Sequence, residues 1–249
     1  MKKYDRAVRF FTSFFLFSLL LTGLFFLMTM KSGQTEQAGT VSEVTVFEES
    51  DSLRVLLIGL SDDKKPHSFL LLHVDAPVLR VHITELANTD YSYQNKSFSL
   101  PELYTYGSVV AVRQTVESSL NCTIDRTVRM TDSQTVAAID ALGGFEYHVQ
   151  NDLRYDRDGH SLRLYRGTQK IMGQQALLLM EVLEEQGAEN VREELLGALI
   201  NTRIHKIKSP AGSLFVTLIN LMDTDIGVMD KDRYRALLQA LAQTETPAG

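Results

Sequence analysis

The sequence predicts an α/β fold: a central mixed β-sheet flanked by helices on both faces, with an N-terminal transmembrane helix. Three observations point there. Short apolar runs ending in turn residues, such as Arg54 to Gly59, read as strands buried on both faces. Between and after them lie stretches with apolar residues at helical spacing, such as Val109, Val112, Val116 and Leu120. Ahead of both runs an uncharged stretch, FFTSFFLFSLLLTGLFFLMTM from Phe10 to Met30.

About 20 apolar residues in a helix span a hydrocarbon core about 30 Å thick. A secretory signal peptide has a shorter apolar core followed by a small-residue cleavage site, and only Gln37-Ala38-Gly39 resembles one here. Lys2, Lys3, Arg6 and Arg9 precede the stretch against a single Asp5. Positive flanks stay in the cytoplasm, so a single-pass signal anchor is expected, N-terminus inside and the rest outside. The expected organisation is a cytoplasmic tail 1–9, anchor 10–30, polar linker 31–51, α/β domain 52–206, and C-terminal helices with a polar tail 207–249.

Within the domain, Arg54 to Gly59, Ser68 to Val74 and Leu79 to Ile83 read as three successive strands, the last two joined by Asp75-Ala76-Pro77. Three strands in a row imply a mixed or antiparallel edge. Leu100 to Leu120 reads as a helix, Asp125 to Met130 as a strand, and Ser133 as the cap of a helix ending at Gly143-Gly144. Phe145 to Val149 is a strand. Leu153 to Tyr155 and Leu162 to Tyr165 form hairpin arms around Asp156 to Gly159. Helices follow at Gly173 to Glu185 and Asn190 to Lys206, the latter with Asn190 and Glu193 placed like a capping box. Ser213 to Met222 and Asp230 to Gln243 close the chain.

The net charge is −6. The first nine residues hold four basic residues against one acidic, so the remainder carries −9. An acidic ectodomain argues against a nucleic-acid partner. Cys122 is the only cysteine, so no internal disulfide can form; a lone cysteine in an apolar-periodic region reads as a small buried hydrophobe. No Gly-rich phosphate loop, His-Glu-x-x-His or paired-cysteine motif occurs. His67, His73 and Asp75 lie at strand spacing, compatible with a metal but more ordinary as solvated side chains, and no metal site is assigned. Glu181, Glu184 and Glu185 read as a solvated helix end. The arginines Arg113, Arg126, Arg129, Arg154, Arg192 and Arg203 are spread along the domain, and guanidinium groups bind phosphate bidentately.

Several motifs occur in a telling order: Arg54-Val-Leu-Leu-Ile-Gly59, the strand Ser68 to Val74, Leu103-Tyr-Thr-Tyr-Gly107, Ile139-Asp-Ala-Leu-Gly-Gly144, then Gly167-Thr-Gln169 before Gly173-Gln-Gln-Ala-Leu177, and Arg192 opening an apolar helix. Across Leu53 to Ile204 the chain resembles the LytR-CpsA-Psr family of bacterial envelope proteins. The resemblance implies a domain holding a polyprenyl-phosphate lipid, its chain in an apolar cavity beside the sheet. In active members a wall polymer passes from the lipid pyrophosphate to peptidoglycan, with Mg²⁺ on acidic residues and arginines on the phosphates. Metal and guanidinium would neutralise the leaving group's growing charge.

The chain departs from the family pattern at its charged positions. The pattern Gly-x-Asp-x-Arg is here Gly59-Leu60-Ser61-Asp62-Asp63, and an Asp before the second strand is His67. Pro-Arg-Asp-Thr becomes Leu86-Ala87-Asn88-Thr89, and the Arg closing the Gln-Ala-Leu helix is Glu181. In Arg-x-x-Arg-Gln, the first Arg is Glu189, the second survives as Arg192, and the Gln is Glu193. The expectation is a catalytically degenerate member with no catalytic residues and no cofactor, in which Arg192, Arg113 and Arg126 are the candidate phosphate or lipid contacts. Its expected partners are the cytoplasmic membrane and a polyprenyl-phosphate lipid or other envelope proteins. The alternative is an active Mg²⁺-dependent phosphotransferase using displaced carboxylates such as Asp62, Asp63 and Asp90. Convergence of the three arginines with those carboxylates in one cleft would favour the enzyme.

Overall fold

The computed structural model describes residues 46–241 and 243, apart from 87, 88, 158 and 208–211. The expected anchor, 10–30, lies outside the described residues; among those described, no helix is long and apolar enough to cross a membrane.

The first three strands are β1 (Leu53–Leu60), β2 (Pro66–Asp75) and β3 (Arg80–Glu85). They form an antiparallel meander, with Leu57 opposite Leu70 and Leu72 opposite Ile83. A small hairpin, β4 (Tyr91–Tyr93) and β5 (Lys96–Phe98), precedes helix α1 (Leu100–Leu120). Strand β6 (Arg126–Thr131) then joins β1 in parallel, which makes the sheet mixed as expected. After α2 (Asp132–Leu142) come β7 (Phe145–Val149), the hairpin β8 (Leu153–Arg157) and β9 (His160–Leu164), and β10 (Gly167–Ile171), which pairs with β7. Helices α3 (Gly173–Glu185), α4 (Val191–Ile207) and α5 (Gly212–Leu221) follow. The two-residue strand β11 (Asp223–Thr224) edges β6, giving the order β11-β6-β1-β2-β3. Helices α6 (Val228–Arg233) and α7 (Arg235–Leu241) follow.

Alternation along the strands sorts the core. Leu56, Ile58 and Leu60 of β1 and Phe69 and Leu71 of β2 point to one face and pack under α1 with Leu103, Val112 and Val116. Val74 of β2 points to the other face, against Leu237 and Leu241 of α7, with Val81 of β3 and Ile200 of α4 packed alongside. A third cluster holds Phe145, Ile171, Leu179 and Leu195, binding the β7–β10 pair to α3 and α4. Each large aliphatic side chain so buried contributes about 1.5–3 kcal/mol.

Local chemistry corrects three expectations. The cap of α2 is Thr131, not Ser133: Thr131 Oγ1 accepts from the Gln134 amide at 3.3 Å, and Gln134 Oε1 accepts from the Thr131 amide at 2.8 Å. An N-cap needs extended backbone; Asn190 has φ +57°, so the Asn190–Glu193 capping box does not form, and Glu193 instead accepts from the Glu85 amide. The last helix is two, α6 and α7, meeting at Tyr234. Helix α1 also breaks at Gly107 and Ser108, where Ser108 adopts φ +60°. The Gly143-Gly144 stop behaves as expected, with φ +81° and +70°. A Cβ at Gly144 would lie 2.3 Å from the Ile171 carbonyl oxygen, so this position admits only glycine.

Candidate functional site

The face of the sheet away from α1 is largely apolar and only partly covered. Across it run Val128, Leu57 and Leu70 in one row and Val55, Leu72 and Ile83 in the next, set by the strand register. Val55, Leu70 and Val128 are buried, yet Leu57, Leu72, Ile83 and Met130 are only half-buried although helices cover this side. A central strand covered on both faces normally excludes water from every side chain. Helix α4 passes over Ile83 at Gly197, where a Cβ would approach the Ile83 side chain at 3.8 Å. Helix α5 repeats the pattern: Leu214, Phe215, Val216, Leu218, Ile219 and Leu221 are all half-buried and none is buried. This amount of partly covered apolar surface suits a non-polar chain.

One end of the sheet gathers the C-termini of β1, β3 and β6 and the start of β2. Parallel β1 and β6 end here, and the loop after β1 docks on the N-terminus of α2. Asp62 accepts from the Ser133 hydroxyl at 2.6 Å and its amide at 3.0 Å, and these bonds hold its carboxyl below the usual range. Asp63 is bound by Lys65 and the Ser61 hydroxyl, which lower it likewise. His67 lies 3.1 Å from Asp132. Across the same end, Arg192 at the start of α4 sits between Glu85 at 2.9 Å and Glu184 at 2.9 Å. Glu184 is therefore an ion-pair partner rather than part of a solvated helix end. Asp62, Asp63 and Asp132 on the β1–α2 side and Glu85, Glu184 and Glu193 around α4 outnumber Lys64, Lys65 and Arg192 in these two groups, so this end of the sheet carries more acidic than basic side chains.

The other candidate arginines lie elsewhere. Arg126 opens β6 and faces the same side as Glu85, but β6 and β3 are three strand steps apart, about 14 Å. It donates to Asp230 at 2.9 Å through Nε and again through Nη2, and to the Asp125 carbonyl at 2.6 Å. Arg113 belongs to the α1 side, where it meets Glu117 at 3.2 Å, the Ile124 carbonyl, and Asp225 at 3.9 Å. The three arginines thus do not converge, and each already carries a carboxylate partner. Arg203, which spacing alone did not distinguish, is buried and donates to the carbonyls of Gly143 (2.6 Å) and Gly144, clamping the end of α2. Glu181 accepts from the Tyr155 hydroxyl at 2.9 Å, and Glu189 is exposed.

Divalent-cation chemistry needs several oxygen ligands at one point. Among the described residues no group of three candidate ligands gathers, and Asp62, Asp63 and Asp132 are each engaged by a neighbouring donor. His67 and His73 share a face of β2 but sit six residues, about 20 Å, apart. The described residues do not fit a magnesium cage.

A model of the LytR_cpsA_psr family matches residues 25–230. An uncharacterized protein of Staphylococcus aureus is 26% identical over 149 residues, which is 53% of this chain but only 37% of that relative's length. Among solved structures, TagV of B. subtilis superposes with a TM-score of 0.63 at 18% identity, covering 79% of this chain and 81% of its own. A protein of Streptococcus agalactiae gives 0.64 at 17%, covering 78% and 75%. TagT bound to LIIa-WTA gives 0.60 at 17%, covering 86% and 85%. At these identities the likeness is one of fold.

Proposed function

The chain belongs to the LytR-CpsA-Psr family, and from that premise we propose that it is a membrane-anchored, extracytoplasmic module of the bacterial cell envelope that holds a polyprenyl-phosphate lipid without turning it over. The observation that carries this reading is the state of Arg192. It is the guanidinium that survives from the family's late motif, and Glu85 and Glu184 already neutralise it. A diphosphate arriving at that end would meet more carboxylate than cation. Stabilising the charge on a departing pyrophosphate requires preorganised positive groups, and those are paired here.

The apolar side of the site is retained. The half-buried Leu57, Leu72, Ile83 and Met130 offer surface to an isoprenoid chain, and covering such surface contributes about 25 cal/mol per Å². A fold family does not by itself assign an activity, so retained apolar walls with compensated charges favour binding over transfer. The uncharged stretch Phe10 to Met30 and its basic flank support a single-pass anchor with the domain outside.

The test is mass spectrometry of lipid co-purifying with the detergent-solubilised chain, beside a Mg²⁺-dependent assay for release of phosphate-linked lipid from a glycan donor. Co-purified isoprenoid phosphate with no turnover is the expected result. Measurable transfer would replace this reading with that of a working phosphotransferase.

A further inference from the structure

The end of the sheet opposite the acidic one carries a pair of histidines that the lipid reading does not use. His73 of β2 and His82 of β3 stand directly opposite each other in the antiparallel register. Both lie on the α1 side of the sheet, since His73 follows Phe69 and Leu71 at the strand period of two. Directly opposite side chains of such a pair have Cβ atoms about 4.5–5.5 Å apart. Here the ring centroids are 6.0 Å apart, with the planes tilted by 33°. Nε2 of His73 is shielded from water and has no hydrogen-bond partner, and neither ring bonds to another group among the described residues. A buried polar atom left bare costs about 1–3 kcal/mol, and a native fold normally supplies it with a water or an ion.

Geometry and charge favour an ion shared by both rings. A metal about 2.0–2.1 Å from a ring nitrogen lies about 3.2 Å from that ring's centroid, so two imidazoles bound at a tetrahedral angle have centroids about 5.2 Å apart. The observed 6.0 Å is within a small side-chain rotation of that arrangement. His82 is exposed, so an ion reaches the pair from its side. Burial above all, then the Arg54 guanidinium, hold the His73 ring below its ordinary value, so at neutral pH it keeps the lone pair that a metal needs. The charges around it balance. Arg54, its neighbour on β1, is turned to Glu49 at 2.8 Å, and Asp75, on the same face of β2, stands opposite Arg80. Paired imidazoles suit Zn²⁺ or Cu²⁺, whereas Mg²⁺ and Ca²⁺ require oxygen ligands. Among the described residues no third His, Cys, Asp or Glu joins the pair, so water would complete the shell.

We propose that His73 and His82 form a two-imidazole site for a divalent transition-metal ion, which ties the edge strand β3 to β2. The probe is Zn²⁺, titrated calorimetrically at neutral pH into the untagged full chain in detergent, with Cu²⁺ electron paramagnetic resonance as the second readout. Wild-type protein binds Zn²⁺, gains Tm on binding as any native-state ligand requires, and gives a Cu²⁺ spectrum with two nitrogen ligands. His73→Ala and His82→Ala each weaken binding by about tenfold or more, equivalent to at least about 1.4 kcal/mol, and remove the rise in Tm. The exposed position of His82 keeps its variant folded if His73→Ala is not. Cys122→Ser and His148→Ala, the latter exposed on β7, leave binding unchanged, and millimolar Mg²⁺ does not displace Zn²⁺. No binding at millimolar Zn²⁺, equal affinity in the His82→Ala chain, a single-nitrogen Cu²⁺ spectrum, or displacement by Mg²⁺ would each overturn the proposal. Loss of binding in Cys122→Ser or His148→Ala would overturn it too, by moving the ion elsewhere.

Discussion

Replacing Arg126 with alanine separates a structural guanidinium from a phosphate-binding one. Its side chain is 30% exposed and that of its partner Asp230 only 10%. The substitution removes two charge-assisted bonds to Asp230 and one to the Asp125 carbonyl, while Asp230 keeps the Gly227 amide at 2.8 Å. Removing one partner of a fully buried pair costs about 3–5 kcal/mol; discounted for the exposure of Arg126, the loss is about 2–3 kcal/mol. A domain of this size loses about 2–4 °C of Tm per kcal/mol, so thermal unfolding followed by circular dichroism should fall by about 4–12 °C. Removing both partners, as Arg126→Met with Asp230→Leu, leaves no orphaned charge and should recover part of that loss. The pH dependence has a definite sign. The Arg126 hydrogen bonds hold Asp230 below the ordinary aspartate value of 3.8, so the stabilisation is complete above that value and is lost as pH falls through the lower folded-state value. The gap between wild type and variant should therefore persist from neutral pH to about pH 5 and close in stronger acid. An Arg126→Ala protein with unchanged Tm but lost affinity for a lipid phosphate would refute the structural assignment.

Freeing Arg192 tests the compensation argument directly. Glu85→Gln with Glu184→Gln should raise calorimetric affinity for farnesyl phosphate by about tenfold, and no change would mean that Arg192 does not face the ligand. Gly173→Ala forces a Cβ to within 2.3 Å of the Val136 carbonyl oxygen; separating α2 from α3 should cost about 3 kcal/mol or more in denaturant unfolding. A Ser32→Cys chain in a Cys122→Ser background should react with a membrane-impermeant maleimide in intact cells, as an outside linker requires. The native Cys122 thiol, pushed up by burial, should label far more slowly. Protection of position 32 until lysis would reverse the orientation.

Strands β1 and β2 of the main sheet were legible because each carries a run of apolar residues closed by a turn. Phe145–Val149 and Gly173–Glu185 also match their expected bounds, the first set off by Gly143-Gly144 and by alternation, the second by apolar residues at helical spacing. The β4–β5 strands are three residues each, too short for a period to register, and β11 has two. Asn190 had the right residue type for a cap but not the backbone conformation, which only the chain path before α4 decides. The site arginines divide in the same way. The Arg113–Glu117 pair is an i, i+4 contact on one helix and can be read locally. Arg126 with Asp230 and Arg192 with Glu85 span separations of 104 and 107 residues, which no single-sequence pattern encodes.

Those long-range pairs bear on the proposal of binding without transfer. A half-buried guanidinium without a counter-charge is unfavourable once its phosphate is gone, so a fold that keeps the arginine must supply a carboxylate or let the side chain swing into water. Arg192 has the first outcome: two glutamates from β3 and α3 hold it in place, and its Nε is buried without an acceptor among the described residues. Glu193 extends the arrangement by tying the β3 end through the Glu85 amide. The same carboxylates that neutralise the cation thus fasten α4 across the open apolar face. On the proposed reading, a cation that would otherwise serve a phosphate here positions the helix over that face through Glu85 and Glu184.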